Sequence, residues 1–157
     1  MFLQIAGAIL LLTAAVLSGQ HLRANERHHL RALQCALLVV LHAQQKIELF
    51  DAQTADILSD FDDSDFHRER FVQKNTDFCT GVSCISNSLL EQDKKLFMHF
   101  ACQLGAEYRA DALKLCIYTA SHLTESLHRA ENEYAAHRKL YTVLPIMLAF
   151  SLVVLFL

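Results

Sequence analysis

The sequence predicts an all-α protein, a helical bundle built on two long antiparallel helices, each continuous with a terminal transmembrane helix. Three observations carry that prediction. Four Gly and one Pro in 157 residues leave too few turn-formers for a protein of many short strands. Apolar residues recur at spacings of three and four over two long stretches, which is the period of a helix face. Every Lys, Arg, Asp and Glu lies between Arg23 and Lys139, so both ends of the chain carry no formal side-chain charge.

The first element is the apolar run over residues 1–19. It is long enough to cross the roughly 30 Å hydrocarbon core as a helix. No Lys or Arg precedes it, so it reads as a retained anchor rather than a cleaved signal peptide, which needs a basic leader. The last element, residues 140–157, is equally apolar on every face, unlike a helix buried in a soluble core. Pro145 lies about one turn inside it and predicts a kink near the membrane boundary. Arg23, Arg27 and Arg31 follow the first span, and Arg129, Arg138 and Lys139 precede the second. Basic residues collect on the cytoplasmic side, so the middle, residues 20–139, is expected to be a cytoplasmic helical bundle with both termini outside.

Within that middle, Leu30, Leu33, Leu37, Val40, Gln44 and Ile47 line one face of a first long helix. Inside it, residues 35–41 are apolar all round and too short for a third span, which predicts burial on several sides. A second seam runs Leu113, Cys116, Ala120, Leu123, Leu127, Ala130, Tyr134, His137 and Tyr141, on a helix expected to start near Ala106 and continue into the last span. Between the long helices, Asp51 or Thr54 can cap a helix into residues 55–58, and Ser64 one running through Phe66 and Phe71. Ser88 and Glu91 have the spacing of a capping box opening a helix whose Leu96, Phe100 and Leu104 share a face. Gly105 supplies its C-terminal stop, and residues 76–87 read as a loop.

The net charge is −3 and no basic block occurs, which argues against nucleic acid as the main partner. Cys79 and Cys84 flank Gly81, but zinc would need two further ligands that no second cysteine pair supplies, and cytoplasm is a reducing setting. They read as free loop thiols. His99 and Cys102 lie one turn apart, and His122 and His128 flank the long seam, a metal site only if a facing helix completed the set. The acids of residues 60–65 lack the Gly and late Glu of a calcium loop and suit a helix N-terminus instead. No phosphate loop, nucleophile elbow or other catalytic constellation appears. No cofactor or metal is therefore expected.

A short N-terminal anchor, the helical stretch Leu30-Arg-Ala-Leu33-Gln-Cys-Ala-Leu37, the Leu104-Gly105 stop, a long charged helix and a terminal apolar span together resemble the bacterial stage III sporulation protein AB family. Arg109, Lys114 and Lys139 also fit the family's pattern. Tyr108 and Ala112 stand where the family usually has Asp and Gln, so the resemblance is to a divergent member. It implies a membrane protein of endospore-forming bacteria, in the mother-cell membrane around the forespore, within a channel or secretion-like complex. It also implies a cytoplasmic region similar to the helical domain of type II secretion and pilus platform proteins, coupling a cytoplasmic ATPase to membrane components. The expected function is thus a non-enzymatic scaffold whose partners are the lipid bilayer, other membrane subunits and that ATPase, with Leu104, Gly105, Arg109, Asp111 and Lys114 at the contact. The alternatives from other classes are a small membrane thiol or metal-binding protein using Cys79 and Cys84, and a helical membrane sensor.

Overall fold

The computed structural model describes residues 2–50, 57–62, 64–66, 69–74, 77–104 and 109–156; most side chains of residues 2–16 and 138–156 lie outside that description. Its elements are α1 (Phe2–Phe50), a 3₁₀ turn (Ser64–Phe66), α2 (Phe78–Gly81), α3 (Ser83–Asn87), α4 (Glu91–Gln103) and α5 (Arg109–Phe156). Helix is the only regular secondary structure among the described residues, as the scarcity of turn-formers predicts. The chain divides into two compact units, residues 29–129 and residues 1–28 with 130–157.

In the unit of residues 29–129, α1 buries Ala32, Leu33, Cys35, Ala36, Val39, Val40, Ala43 and Ile47. This is the expected face, but it is broader and made largely of small side chains. Leu38 and Leu41, expected to be buried with the rest of residues 35–41, are instead 45% and 44% exposed. The reason is angular: at 100° per residue a buried face centred on Ala36, Val40 and Ala43 turns positions 38 and 41 outward. α5 buries Ala112, Cys116, Thr119, Ala120 and Leu123, following the predicted seam.

The segment between the long helices departs furthest from expectation. Residues 78–87 are not a loop but two short helices, because Phe78, Val82 and Ile85 are all buried at helical spacing. Ser88 does not open a capping box. It closes α3, its N–H donating to the Ile85 carbonyl, and α4 starts after Leu90 with no side-chain cap. The buried face of α4 holds Asp93, Phe97, Phe100, Ala101 and Leu104, with Leu96 only half-buried. The predicted helix through Phe66 and Phe71 is a single 3₁₀ turn. Asp62 Oδ1 accepts the Ser64 N–H at 3.0 Å, which satisfies a donor locally but starts no longer helix. The predicted cap at Asp51 or Thr54 lies outside the described residues.

Polar contacts fasten these pieces to α1. His42 Nε2 donates to the Ile57 carbonyl at 3.0 Å and its ring stands edge-on to Phe61. Lys46 pairs with Asp60 at 2.6 Å, which holds the Asp60 carboxyl below its ordinary range. Arg31 pairs with Glu69, beside a turn in which Arg70 takes a φ of 50°. The carbonyl of Ser88 lies 3.0 Å from His29 Nδ1.

In the other unit, Ser18 Oγ donates to the Ala14 carbonyl at 2.8 Å, the internal satisfaction a hydroxyl needs in an apolar helix. Arg27 Nε donates to the Tyr134 hydroxyl at 2.8 Å. Leu17, Leu22, Val143, Met147 and Phe150 are each more than half exposed. α5 continues past position 145 without interruption. No helix is long and apolar enough to cross a membrane among the described residues.

Candidate partner-binding site

Three of the residues expected to make contact, Arg109, Asp111 and Lys114, lie at the start of α5. Leu104 closes α4, its N–H donating to the Phe100 carbonyl at 3.0 Å, and it is only 5% exposed. It is therefore a core residue and not part of an exposed contact. Gly105 lies outside the described residues, as does the expected helix start at Ala106. The first residue of α5, Arg109, reaches across to α1, where its Nη2 donates to the Glu48 carbonyl at 2.7 Å. Carbonyls in the last turn of a helix lack intrahelical donors and carry the negative end of the dipole, so this guanidinium caps α1.

Asp111 sits in the first turn of α5, where a carboxylate suits the exposed amides. Lys114 Nζ donates to Asp111 Oδ1 at 2.9 Å, and that bond raises the lysine's pKa above its usual value. Both side chains are largely exposed. One turn further on, Ile117 and Tyr118 are 57% and 59% exposed on the same side of the helix. The seam pattern did not single them out, although their place outside it was the available signal. Lys114, Ile117, Tyr118 and Ser121 together form an outward strip in which apolar area is framed by polar groups, the composition of a contact surface.

Further along α5, to the side of this strip, a buried carboxylate of α4 joins the two helices. Asp93 is 5% exposed; Ser126 Oγ donates to its Oδ1 at 2.7 Å, and His122 Nδ1 stands 3.7 Å from the same oxygen. Asp93 also lies in the first turn of α4, whose unpaired amides favour negative charge.

The thiols divide differently from the sequence expectation. Cys79 is bonded to Cys102, with Cα atoms 5.2 Å apart, while Cys84 is a free thiol whose sulfur receives Gln73 Nε2 at 3.6 Å. Cys79 and Cys84 thus do not act as the pair that the thiol reading requires, because each is directed to a different neighbour. Cys116 is buried in the seam, and burial pushes its pKa to about 11, which makes it a core residue rather than a nucleophile. Among the described residues no group of three or more His, Cys, Asp and Glu is placed to hold a metal ion. An open groove of about 480 Å³ is lined by Arg31, Gln34, Leu37, Leu38, Asp65, Phe66 and Leu127.

Neither a curated protein nor a solved structure matches the chain. Residues 82–157, from the loop before α3 through the whole of α4 and α5, match the family model of stage III sporulation protein AB. Over this stretch, just under half of its length and including Leu104, Arg109 and Lys114, the chain is similar to the stage III sporulation protein AB family.

Proposed function

We propose that the protein is a non-enzymatic membrane scaffold in a sporulation channel or secretion-like complex. The family match over residues 82–157 carries this reading. In it, residues 1–19 and 140–157 are lipid-embedded spans, the central helices are cytoplasmic, and both termini lie outside. Two features support the spans. The ends of α1 and α5 are helical, which satisfies most of their backbone groups internally, as a bilayer demands. Val143, Met147 and Phe150, spaced four and three apart, present exposed apolar side chains along one face, suited to hydrocarbon rather than water.

The outward strip of α5, with Asp111, Lys114, Ile117 and Tyr118, is the surface for partner subunits. Arg109 holds that end of the helix to α1 through the Glu48 carbonyl. Other membrane subunits and a cytoplasmic ATPase are the partners that the family reading suggests. Coupling between them would travel through the α4–α5 packing that Asp93 and Ser126 fix.

Deletion of the gene in its spore-forming host is the decisive experiment. Sporulation is expected to stop after engulfment, and the protein is expected to remain with membranes after alkaline extraction. Normal spores would reject the sporulation role, and release by alkali would reject the two spans. Replacing Lys114 and Tyr118 by Glu is expected to reduce recovery of crosslinked partner subunits without lowering protein level; unchanged recovery would remove the strip from the contact.

A further inference from the structure

Cys79 in α2 and Cys102 in the last turn of α4 are 5.2 Å apart at Cα, inside the roughly 4.4–6.8 Å range that a disulfide requires. Packing beside them brings these two positions together. Phe78, adjacent to Cys79, stands edge-on to Phe100 at a ring distance of 6.0 Å, and Phe100 lies two residues before Cys102. Both rings are fully buried or nearly so. The Gly81 N–H donates to the Asp77 carbonyl at 2.7 Å, and the Gly81 carbonyl accepts Gln73 N–H at 2.8 Å, so the turn carrying Cys79 is held at both sides. The other thiols are placed elsewhere: Cys84 is directed to Gln73, and Cys35 and Cys116 are buried in the long helices.

We infer that Cys79 and Cys102 form a reversible dithiol–disulfide modification site, which in its oxidised form ties α2 to the end of α4 just before its C-cap, Leu104. The residue at position 102 is exposed and the one at 79 half-buried, so Cys102 is the first to react. The co-reactant is a small-molecule disulfide. The Cys102 thiolate attacks one of its sulfurs and releases one small thiol, leaving a mixed disulfide on Cys102. The Cys79 thiolate then displaces the second small thiol. Overall the two cysteines lose two electrons and two protons, and the small disulfide is reduced to two thiols. In a reducing compartment the pair rests as two thiols and closes when the surroundings become oxidising; in an oxidising compartment it rests closed. Closure fixes the end of α4, from which the chain passes to the first turn of α5, whether or not the proposed partners are the right ones.

The full-length protein in detergent, carrying Cys84→Ser, provides the test. With that change Cys79 is the only cysteine in the tryptic peptide Asn75–Lys94, and Cys102 is the only one in Leu96–Arg109. After equilibration in buffers of oxidised and reduced glutathione and blocking with a maleimide, mass spectrometry should find these two peptides linked in the oxidising buffers. They should be separate and blocked in the reducing ones. Cys79→Ser, which lacks the resolving thiol, should instead accumulate glutathione on Cys102. Recovery of both peptides unlinked in the most oxidising buffer, or linkage of Cys102 to Cys35 or Cys116, would overturn the assignment.

Discussion

Along α1, the buried face of residues 32–43 is built mostly from Ala, Cys and Val, whereas residues 78–104 bury Phe78, Phe97, Phe100, Ile85 and Leu89. Small side chains let a neighbouring backbone approach closely, and the burial is shared among many modest contacts. In the second region a few large rings supply most of the area removed from water, each fully buried Phe contributing roughly 1.5–3 kcal/mol. The first kind of packing follows from helix periodicity alone. The second depends on which rings meet, and so on segments distant in sequence. It follows that the short helices α2 and α3 stand or fall with α4, while α1 tolerates adjustment along its length.

The sharpest way to break this comparison is Phe100→Ala. It removes the ring that contacts both Phe78 and Phe97, and it should cost about 3–5 kcal/mol in denaturant unfolding. A cost below about 1 kcal/mol would mean that the ring cluster does not hold α2 in place.

Next in size is Asp93→Ala. It leaves Ser126 Oγ without its acceptor and removes the charged partner 3.7 Å from His122, with an expected loss of roughly 1–3 kcal/mol. Asp93→Asn keeps an acceptor for Ser126 and should lose less. Equal losses for the two variants would show that the hydroxyl bond is not what joins α4 to α5.

The smallest effect concerns the α1 side. Burial lowers the His42 pKa from its ordinary 6.5, against the opposing influence of the Ile57 carbonyl. The folded chain therefore resists a proton that the unfolded chain accepts. This contribution to stability is complete above pH 6.5 and is lost as the pH falls through that value toward the lowered one. His42→Gln retains a donor for the Ile57 carbonyl and cannot titrate, so its unfolding temperature should fall less than wild type on acidification. Identical pH profiles would remove His42 from the acid response.

Much of this was legible in the chain itself. The seams on α1 and α5 appear as spacings of three and four, and the buried positions Leu33, Val40, Ile47, Cys116, Ala120 and Leu123 follow them. Phe78, Val82 and Ile85 carried the same helical spacing within the stretch expected to be a loop, but Gly81 and the polar residues between them masked it. Ser88-Leu-Leu-Glu91 had the letters of a capping box, yet Ser88 was committed to ending the preceding helix. For the candidate site, the exposed pair Lys114 and Asp111 could be read from i,i+3 spacing. The capping of α1 by Arg109 could not, since its partner is the backbone of residue 48.

The sequence by itself determined that the chain is helical, where its long apolar seams run, that charge is confined to residues 23–139, and which family residues 82–157 resemble. These are properties of local spacing and composition, which need no knowledge of what lies opposite. Only the tertiary structure decided that Cys79 meets Cys102 rather than Cys84, that Leu38 and Leu41 face outward, and that Asp93 is buried against Ser126. Each depends on the angle and register at which one helix meets another, and no periodicity along a single helix encodes that.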